Sequence, residues 1–467
     1  MPLRQFTIDF REFSQENLVR SNYKTAILGI EIKNHINQSS GRFVRLKDFF
    51  DIISGFAFKS VDYEQEGVPL IRIGDVGNYF DENDMVFLPE DYKDNYSRFL
   101  LRKNNIIVSL TGEGKLKSDL IEEDKKYLLN QRVGSLRAKK EVNILFYFYL
   151  LKYFSFVKKQ FYWWSNGKTQ LNISPFDFLN IKIPLISKPT QDKIVAQIEP
   201  IEKKIKELEN QIVPPQEIIN KVFAREFEFD LERFEKSKNE FFFEVDFTKI
   251  SNYHSLRFDV KNQKYLDIFH DIMKTFGSSF FLKSISKDTG KYGANEPAKD
   301  GEKGVDTRYI RITDIDSIGN LSGDDWKTAE NIDKQYLLKD DDFLFARSGN
   351  TVGKTFLYDS TKHEEAIFAG YFIKFKLDFT NLNKLFFLYY TKSFIYDFWA
   401  RGIVRIKGQP NINANEYLEL KIPNIPLKAQ QKIVDEIKIE LDKQEEMKKK
   451  IEIQRNKIGE IIEKVVK

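Results

Sequence analysis

The chain has 467 residues, of which 41% are hydrophobic, and it carries 74 Lys plus Arg against 70 Asp plus Glu, a net charge of +4. At roughly 100 to 200 residues per domain this length predicts two to four domains, each able to bury a core. The lack of cysteine excludes disulfides, cysteine-ligated metals and a thiol nucleophile, and a net charge this small decides nothing about nucleic acid.

Taken in chain order, the N-terminus Met-Pro-Leu-Arg-Gln-Phe runs straight into charged sequence with no secretory pattern. No uncharged stretch approaches about 18 residues, so a cytoplasmic protein without membrane contact is expected. Runs rich in Ile, Val, Phe and Tyr predict strands at Val68 to Ile73 and Ile106 to Leu110, and an apolar run predicts a helix from Ile144 to Phe156. Next, Ile194, Ile198, Ile201, Ile205, Leu208 and Ile212 alternate four- and three-residue spacings, the seam of a paired helix. Pro214 and Pro215 must interrupt it, because proline lacks the N–H donor and crowds the preceding turn; a second helix is expected over Gln216 to Phe227.

The second half predicts strands at Tyr309 to Ile312, Phe343 to Ala346 and Tyr371 to Leu377, and a helix from Leu385 to Trp399. It ends on a seam of Val434, Ile437, Leu441, Ile451, Ile458, Ile462 and Val465, diluted by Gln444, Lys448 and Arg455. A continuous helix from Lys428 to Lys467 would run about 60 Å at 1.5 Å per residue. It is expected to have no globular sequence of its own to pack against. Its simplest partner is then the helix of the first seam, in an antiparallel pair that holds two globular units apart; a homodimeric coiled coil is the alternative.

The halves are copies. Asn172-Ile173, Ile181 to Pro184 and Lys193 to Val195 recur, at one constant offset, as Asn411-Ile412, Leu420 to Pro423 and Lys432 to Val434. Nearly the same offset relates Asp9-Phe10 to Asp246-Phe247, Arg20 to Arg257, Ile71 to Ile73 with Ile310 to Ile312, and Gly112 to Gly349. A period of half the chain means one large unit used twice. The expected fold is α+β: two pseudo-repeated mixed α/β globular domains separated by long helices that pair as an antiparallel coiled coil. The expected segments are 1–189, 190–229 (central helices), 230–427 and 428–467 (C-terminal helix).

These residues carry a resemblance over nearly the whole chain. Val44 to Asp48, Ser54 to Ser60 and Val68 to Asp75 resemble the start of a target recognition domain in the specificity subunits of type I restriction-modification enzymes. Tyr309 to Asp314, Phe345 to Gly349, Val352 to Lys354 and Ala366 to Tyr371 are similar to that family in the second copy. So are the junctions into the helices: Ile183 to Leu185, Gln191 and Lys193 to Val195, then Ile422-Pro423, Pro426-Leu427, Gln430-Gln431 and Lys432 to Val434. The resemblance implies a DNA-reading subunit with no catalysis and no cofactor of its own. Each recognition domain would read one half of a split asymmetric site in double-stranded DNA. The helices would set the unread spacer and dock two methyltransferase subunits, with two restriction (translocase-nuclease) subunits in the full complex. A coiled-coil assembly scaffold without DNA readout is the competing function.

The DNA-contact candidates are residues whose side chains suit bases or phosphates: arginine for guanine, amides for adenine, lysine for phosphate. They are Lys59, Arg72 and Lys115 in the first copy and Arg311, Arg347 and Lys354 in the second, together with two loops ahead of the Asn-Ile repeat. Those loops are Trp163 to Gln170, with Lys168 and Gln170, and Arg401 to Gln409, with Arg405, Lys407 and Gln409. Gly349 to Lys354 falls one residue short of a phosphate loop, so no nucleotide site is expected there, and a tight glycine turn between strands explains the glycines. The four histidines show no metal-ligand spacing, and acid-x-Lys triplets such as Glu123 to Lys125 arise by chance at 31% charged residues.

Overall fold

The computed structural model describes residues 23–39, 41–77, 85–112, 116–165, 171–232, 236, 260–322, 325–349, 351–404 and 409–466. The repeat pairs at Asp9-Phe10 with Asp246-Phe247 and at Arg20 with Arg257 lie outside these residues. The chain divides into two compact units, residues 1–211 with 448–467, and residues 212–447.

The first unit is built on an antiparallel sheet in the spatial order Phe50–Ser54, Val133–Ala138, Ile106–Ser109, Ser118–Leu120. Ile106, Ile107 and Val108 are all buried, so this central strand reads as an unbroken apolar run and not as an alternation. Val68–Ile71 pairs in parallel with Leu128–Leu129, and Phe43–Arg45 pairs antiparallel with Lys182–Pro184.

The second unit repeats this element for element. Its sheet runs Lys291–Tyr292, Phe372–Lys376, Asp342–Ala346, Thr355–Leu357, with Arg308–Ile310 parallel to Ala366–Phe368 and Ser279–Phe281 antiparallel to Lys421–Pro423. The sheets differ inside. In the second, Lys374 donates to Asp342 at 2.9 Å and both are buried; the matching residues of the first are Ser135 and Asn105. In both units this acceptor also takes the N–H three residues before it, Lys339 to Asp342 at 2.9 Å and Arg102 to Asn105 at 3.0 Å.

The helices expected over Ile144 to Phe156 and Leu385 to Trp399 are each two. Ile144–Tyr153 is followed by Ser155–Trp164, and Lys384–Tyr390 by Phe394–Ile403, with Phe154 and Ser393 extended between them. The run from Ile144 is apolar almost all round, so periodicity holds no record of where it bends; in the second copy the polar Thr391, Lys392 and Ser393 stand at the bend. Asn143 and Asn383 cap the first helix of each pair.

A buried glutamine ties each globular part to its helix. Gln191 accepts the Asn143 N–H at 3.0 Å and donates to the Ile186 carbonyl at 2.9 Å; Gln430 accepts the Asn383 N–H at 2.7 Å and donates to the Ile425 carbonyl at 2.8 Å. Removing either amide strands a half-buried N–H and a half-buried carbonyl. Gln430→Ala is expected to lower stability by about 1–3 kcal/mol, and Gln430→Glu to be no milder at neutral pH, since it keeps the acceptor but turns a buried carboxylate oxygen toward the Ile425 carbonyl; urea unfolding reads both.

In the first unit the helix Lys188–Glu209 buries Ile194, Ile198 and Ile205 and half-buries Ile201 and Leu208. Val195 and Glu202 are buried too, the latter ion-paired with Lys152 at 3.0 Å, so the helix also packs on its own domain. Pro200 stands on its exposed side, inside the helix. The helix ends at Glu209, which corrects the expected seam: Ile212 lies beyond it, half-buried, because the residues ahead of Pro214 and Pro215 are pushed out of the α region. The chain breaks there and restarts as Pro215–Glu226.

The C-terminal helix Leu427–Val466 has 40 residues. In the second unit its start corrects another expectation, because it does have globular sequence to pack against. Ile433, Val434 and Ile437 join one cluster with Ile219, Phe223, Phe343 and Phe386, and Leu441 packs at its margin. Lys432 pairs with Glu226 at 2.8 Å, and buried Gln444 accepts the Val213 N–H at 2.9 Å. A polar residue that looked like dilution of the seam thus satisfies backbone freed by the proline break. In the first unit Ile451, Ile458 and Ile462 are buried and Arg455 pairs with Glu209 at 2.7 Å. Val465 is exposed, and Val466 takes the buried place instead, as four-residue steps from Ile458 and Ile462 direct.

Candidate nucleic-acid interface

At the end of each sheet four backbone segments are laced in the same order. In the first unit the Phe56 N–H donates to the Leu129 carbonyl at 2.9 Å and Gln131 N–H to Phe56 at 2.9 Å. Leu110 N–H then donates to Arg132 at 2.8 Å and Ile173 N–H to Leu110 at 2.9 Å. The second unit repeats every link: Ala294 to Phe368 at 2.8 Å, Gly370 to Ala294 at 2.6 Å, Arg347 to Tyr371 at 2.8 Å and Ile412 to Arg347 at 2.8 Å. Such lacing fixes irregular segments that would otherwise lack partners and holds their side chains in register.

Glycine is required at one place in each lattice. A Cβ on Gly55 would lie 2.0 Å from the Asn130 carbonyl oxygen, and one on Gly293 would lie 2.3 Å from that of Ala369. Only glycine lets the segments approach so closely.

The lattice brings together two stretches that are far apart in sequence. Gly349 N–H donates to the Pro410 carbonyl at 3.0 Å, and Ser348 bridges Asn411, so the glycine turn meets the loop ahead of the second Asn-Ile. In the first unit Thr111–Gly112 pairs with Leu171–Asn172 in the same way. Gln409 is exposed, its amide nitrogen 3.5 Å from where a Gly349 Cβ would stand. Lys115, Lys168, Gln170, Arg405 and Lys407 lie outside the described residues.

The other candidates are held in different ways. Arg347 lies over the Tyr292 ring with its Cζ 4.7 Å from the centroid, and its buried Nε has no hydrogen-bond partner among the described residues. Exposed Tyr371 follows on the neighbouring segment. Lys59 is exposed. Arg72 is engaged with Asp75, which also accepts the Arg72 N–H at 2.7 Å. Arg311 repeats this with Asp314 at 2.6 Å and adds Asp325 at 2.7 Å; its hydrogen bonds to Asp314 hold its pKa above the ordinary value. Both arginines therefore brace a turn in their own unit. Lys354 donates to the Ile315 carbonyl at 2.9 Å.

The geometry disposes of a phosphate loop. Gly349 and Gly353 take φ values of 83° and 90°, and the Val352, Gly353 and Lys354 N–H groups are spent on Gly349, Ala346 and Thr351 carbonyls. A strand, Thr355–Leu357, follows the turn where a phosphate loop leads into a helix.

Behind the turn, Lys392 is buried and donates to the Thr355 carbonyl at 2.7 Å, and burial pulls its pKa down to about 7. A folded-state pKa below the ordinary 10.5 means that the unfolded chain binds the proton better. The stability tied to neutral Lys392 is full above pH 10.5 and is lost as pH falls toward 7. Lys392→Met is expected to remove this slope, on the order of 1 kcal/mol per pH unit, when the two proteins are compared in urea between pH 7 and 10.

Residues 41–214 and 271–455 match the family described as the type I restriction modification DNA specificity domain. The chain belongs to that family. It carries the domain twice, which is the internal repeat seen in sequence and in topology. Among curated proteins, the family member is similar to the type I restriction enzyme MjaVIII specificity subunit of Methanocaldococcus jannaschii, 34% identical over 171 residues. That match takes in 35% of this chain and 39% of the relative. The EcoAI specificity subunit of Escherichia coli is 25% identical over 162 residues, 33% of this chain and 27% of that protein, so the chain spans well under two thirds of either relative. A solved type I restriction-modification S subunit from M. genitalium aligns over 91% of this chain and 96% of its own, at 16% identity and a TM-score of 0.39. No helix among the described residues is long and apolar enough to cross a membrane.

Exposed Arg132, Gln131 and Tyr292 border these lattices and were not among the sequence candidates. Their exposure arises from the lacing, and no local pattern marks it.

Proposed function

We propose that this protein is the DNA-reading specificity subunit of a type I restriction-modification complex, each unit reading one half of a bipartite asymmetric site. The observation that carries the reading is the laced lattice, built twice on the same hydrogen bonds and furnished with different side chains. One scaffold with two sets of contacts suits two unlike half-sites. Arg347 and Gln409 are assigned to bases in the second half-site; Lys59, Lys115, Lys168, Gln170, Lys354, Arg405 and Lys407 supply base or phosphate contacts around the two lattices. Arg72 and Arg311 act mainly by bracing their turns.

The helices are assigned the spacer, pairing antiparallel along Ile194, Ile198, Ile201, Ile205 and Leu208 against Ile451 and Ile458, and along Pro215–Glu226 against Val434, Ile437 and Leu441. The ion pairs Arg455 with Glu209 and Lys432 with Glu226 support this direction. Two methyltransferase subunits dock on the helical parts and two restriction subunits complete the complex, which works in the cytoplasm; the chain itself is non-catalytic and needs no cofactor. The functional segments are 1–189, 190–229, 230–427 and 428–467.

Arg347→Ala tests the assignment. Binding selection with the methyltransferase subunits present yields the target duplex, and the variant should lose about 1–3 kcal/mol on it through the second half-site alone. Equal weakening on scrambled duplex, with a salt slope lower by about one, would make Arg347 a phosphate contact. Absence of any sequence preference in the unmodified protein would end the DNA reading.

A further inference from the structure

The lattices exchange a side chain between neighbouring segments. The link that joins Arg347 N–H to the Tyr371 carbonyl in the second unit joins Leu110 N–H to the Arg132 carbonyl in the first. The second unit thus has arginine on the inner segment and tyrosine on the outer one. The first has buried Leu110 on the inner segment and exposed Arg132 on the outer. Each lattice presents one arginine across the same hydrogen bond.

Two further observations single out Arg132. It is the third residue of a turn closed by Val133 N–H on the Asn130 carbonyl, and its φ is 70°, in the left-handed region. Glycine or asparagine takes such a place at less cost, so the turn itself does not ask for arginine. Backbone strain at an exposed, long, charged side chain points to a role outside the fold. Gln131 beside it is also exposed, with its N–H held by Phe56, so the turn offers an amide and a guanidinium together. Those two groups recognise adenine and guanine edges.

We infer that Arg132 is a specificity-determining residue of the first unit, contacting a base edge in its half-site as the counterpart of Arg347. This rests on the DNA-reading function proposed above. The guanidinium donates to acceptors on the base, guanine by preference.

The test uses the full chain with its methyltransferase subunits and three duplexes: the selected target, the target with the first unit's half scrambled, and the target with the other half scrambled. Arg132→Gly relieves the left-handed strain, so its unfolding midpoint should hold or rise, whereas a structural arginine would lower it. Binding to the selected target should fall about 10- to 100-fold, with no loss on the duplex whose first half is already scrambled. Arg132→Lys should fall nearly as far, because lysine cannot make the paired contact. Full binding by Arg132→Gly, an equal loss on all three duplexes, or rescue by Arg132→Lys would each overturn the inference. In the first case an unmodified protein that still prefers its target leaves the DNA reading standing; one that binds all three duplexes alike overturns both.

Discussion

Asp342→Ala is expected to destabilise the second unit by about 3–5 kcal/mol, which is a large share of the stability of a domain this size. The reason is the charge left behind. Lys374 is buried on the central sheet, and its ammonium donates to Asp342 at 2.9 Å. Taking the carboxylate away leaves that ammonium without a counter-ion in a place water cannot reach, and strands the Lys339 N–H as well. Replacing the pair is a different matter from breaking it. The first unit fills the same places with Asn105 and Ser135, so Asp342→Asn combined with Lys374→Ser should recover most of the loss. Chemical denaturation of the two variants gives the comparison. A double variant as unstable as Asp342→Ala would show that the second sheet depends on the charges themselves.

Gly293→Ala should be nearly as damaging locally, and its effect should reach DNA binding. The new Cβ would stand 2.3 Å from the Ala369 oxygen, a backbone atom that cannot swing aside like a side chain. The Ala294 to Phe368 and Gly370 to Ala294 links must open to make room. A cost of about 2–4 kcal/mol is expected from strain and lost hydrogen bonds, with faster amide exchange at Ala294 and Gly370. On the DNA-reading function proposed above, selectivity for the second half-site should fall while the first is read normally. Gly55→Ala should give the mirror result, since its Cβ would stand 2.0 Å from the Asn130 oxygen.

Much of the fold could be read from residue order because burial imposes period and composition. The strands expected at Phe343 to Ala346 and Ile106 to Leu110 fall on Asp342–Ala346 and Ile106–Ser109, where apolar runs are flanked by turn residues. The seam residues Ile194, Ile198, Ile205, Val434 and Ile437 are buried for the same reason. Where a helix is apolar all round, as from Ile144 onward, no polar face records its direction and the bend at Phe154 goes unseen. The candidate site was legible as a set of places, the glycine turn and the loop before Asn411, but not as a set of contacts. Arg72 and Arg347 look alike in sequence; only the lacing shows that Asp75 holds the first while the second lies on Tyr292. Arg132 gave no signal, because exposure created by three neighbouring segments leaves no mark on its own.

Because the first unit is closed by residues 448–467 while the second is one uninterrupted stretch, 212–447, order of synthesis and order of completion are reversed. A ribosome finishes the second unit before it has made the piece on which the first depends. Until then the first unit lacks Ile451, Ile458 and Ile462, which are buried in the finished protein, and it stays open to misassembly for as long as the rest of the chain takes to emerge.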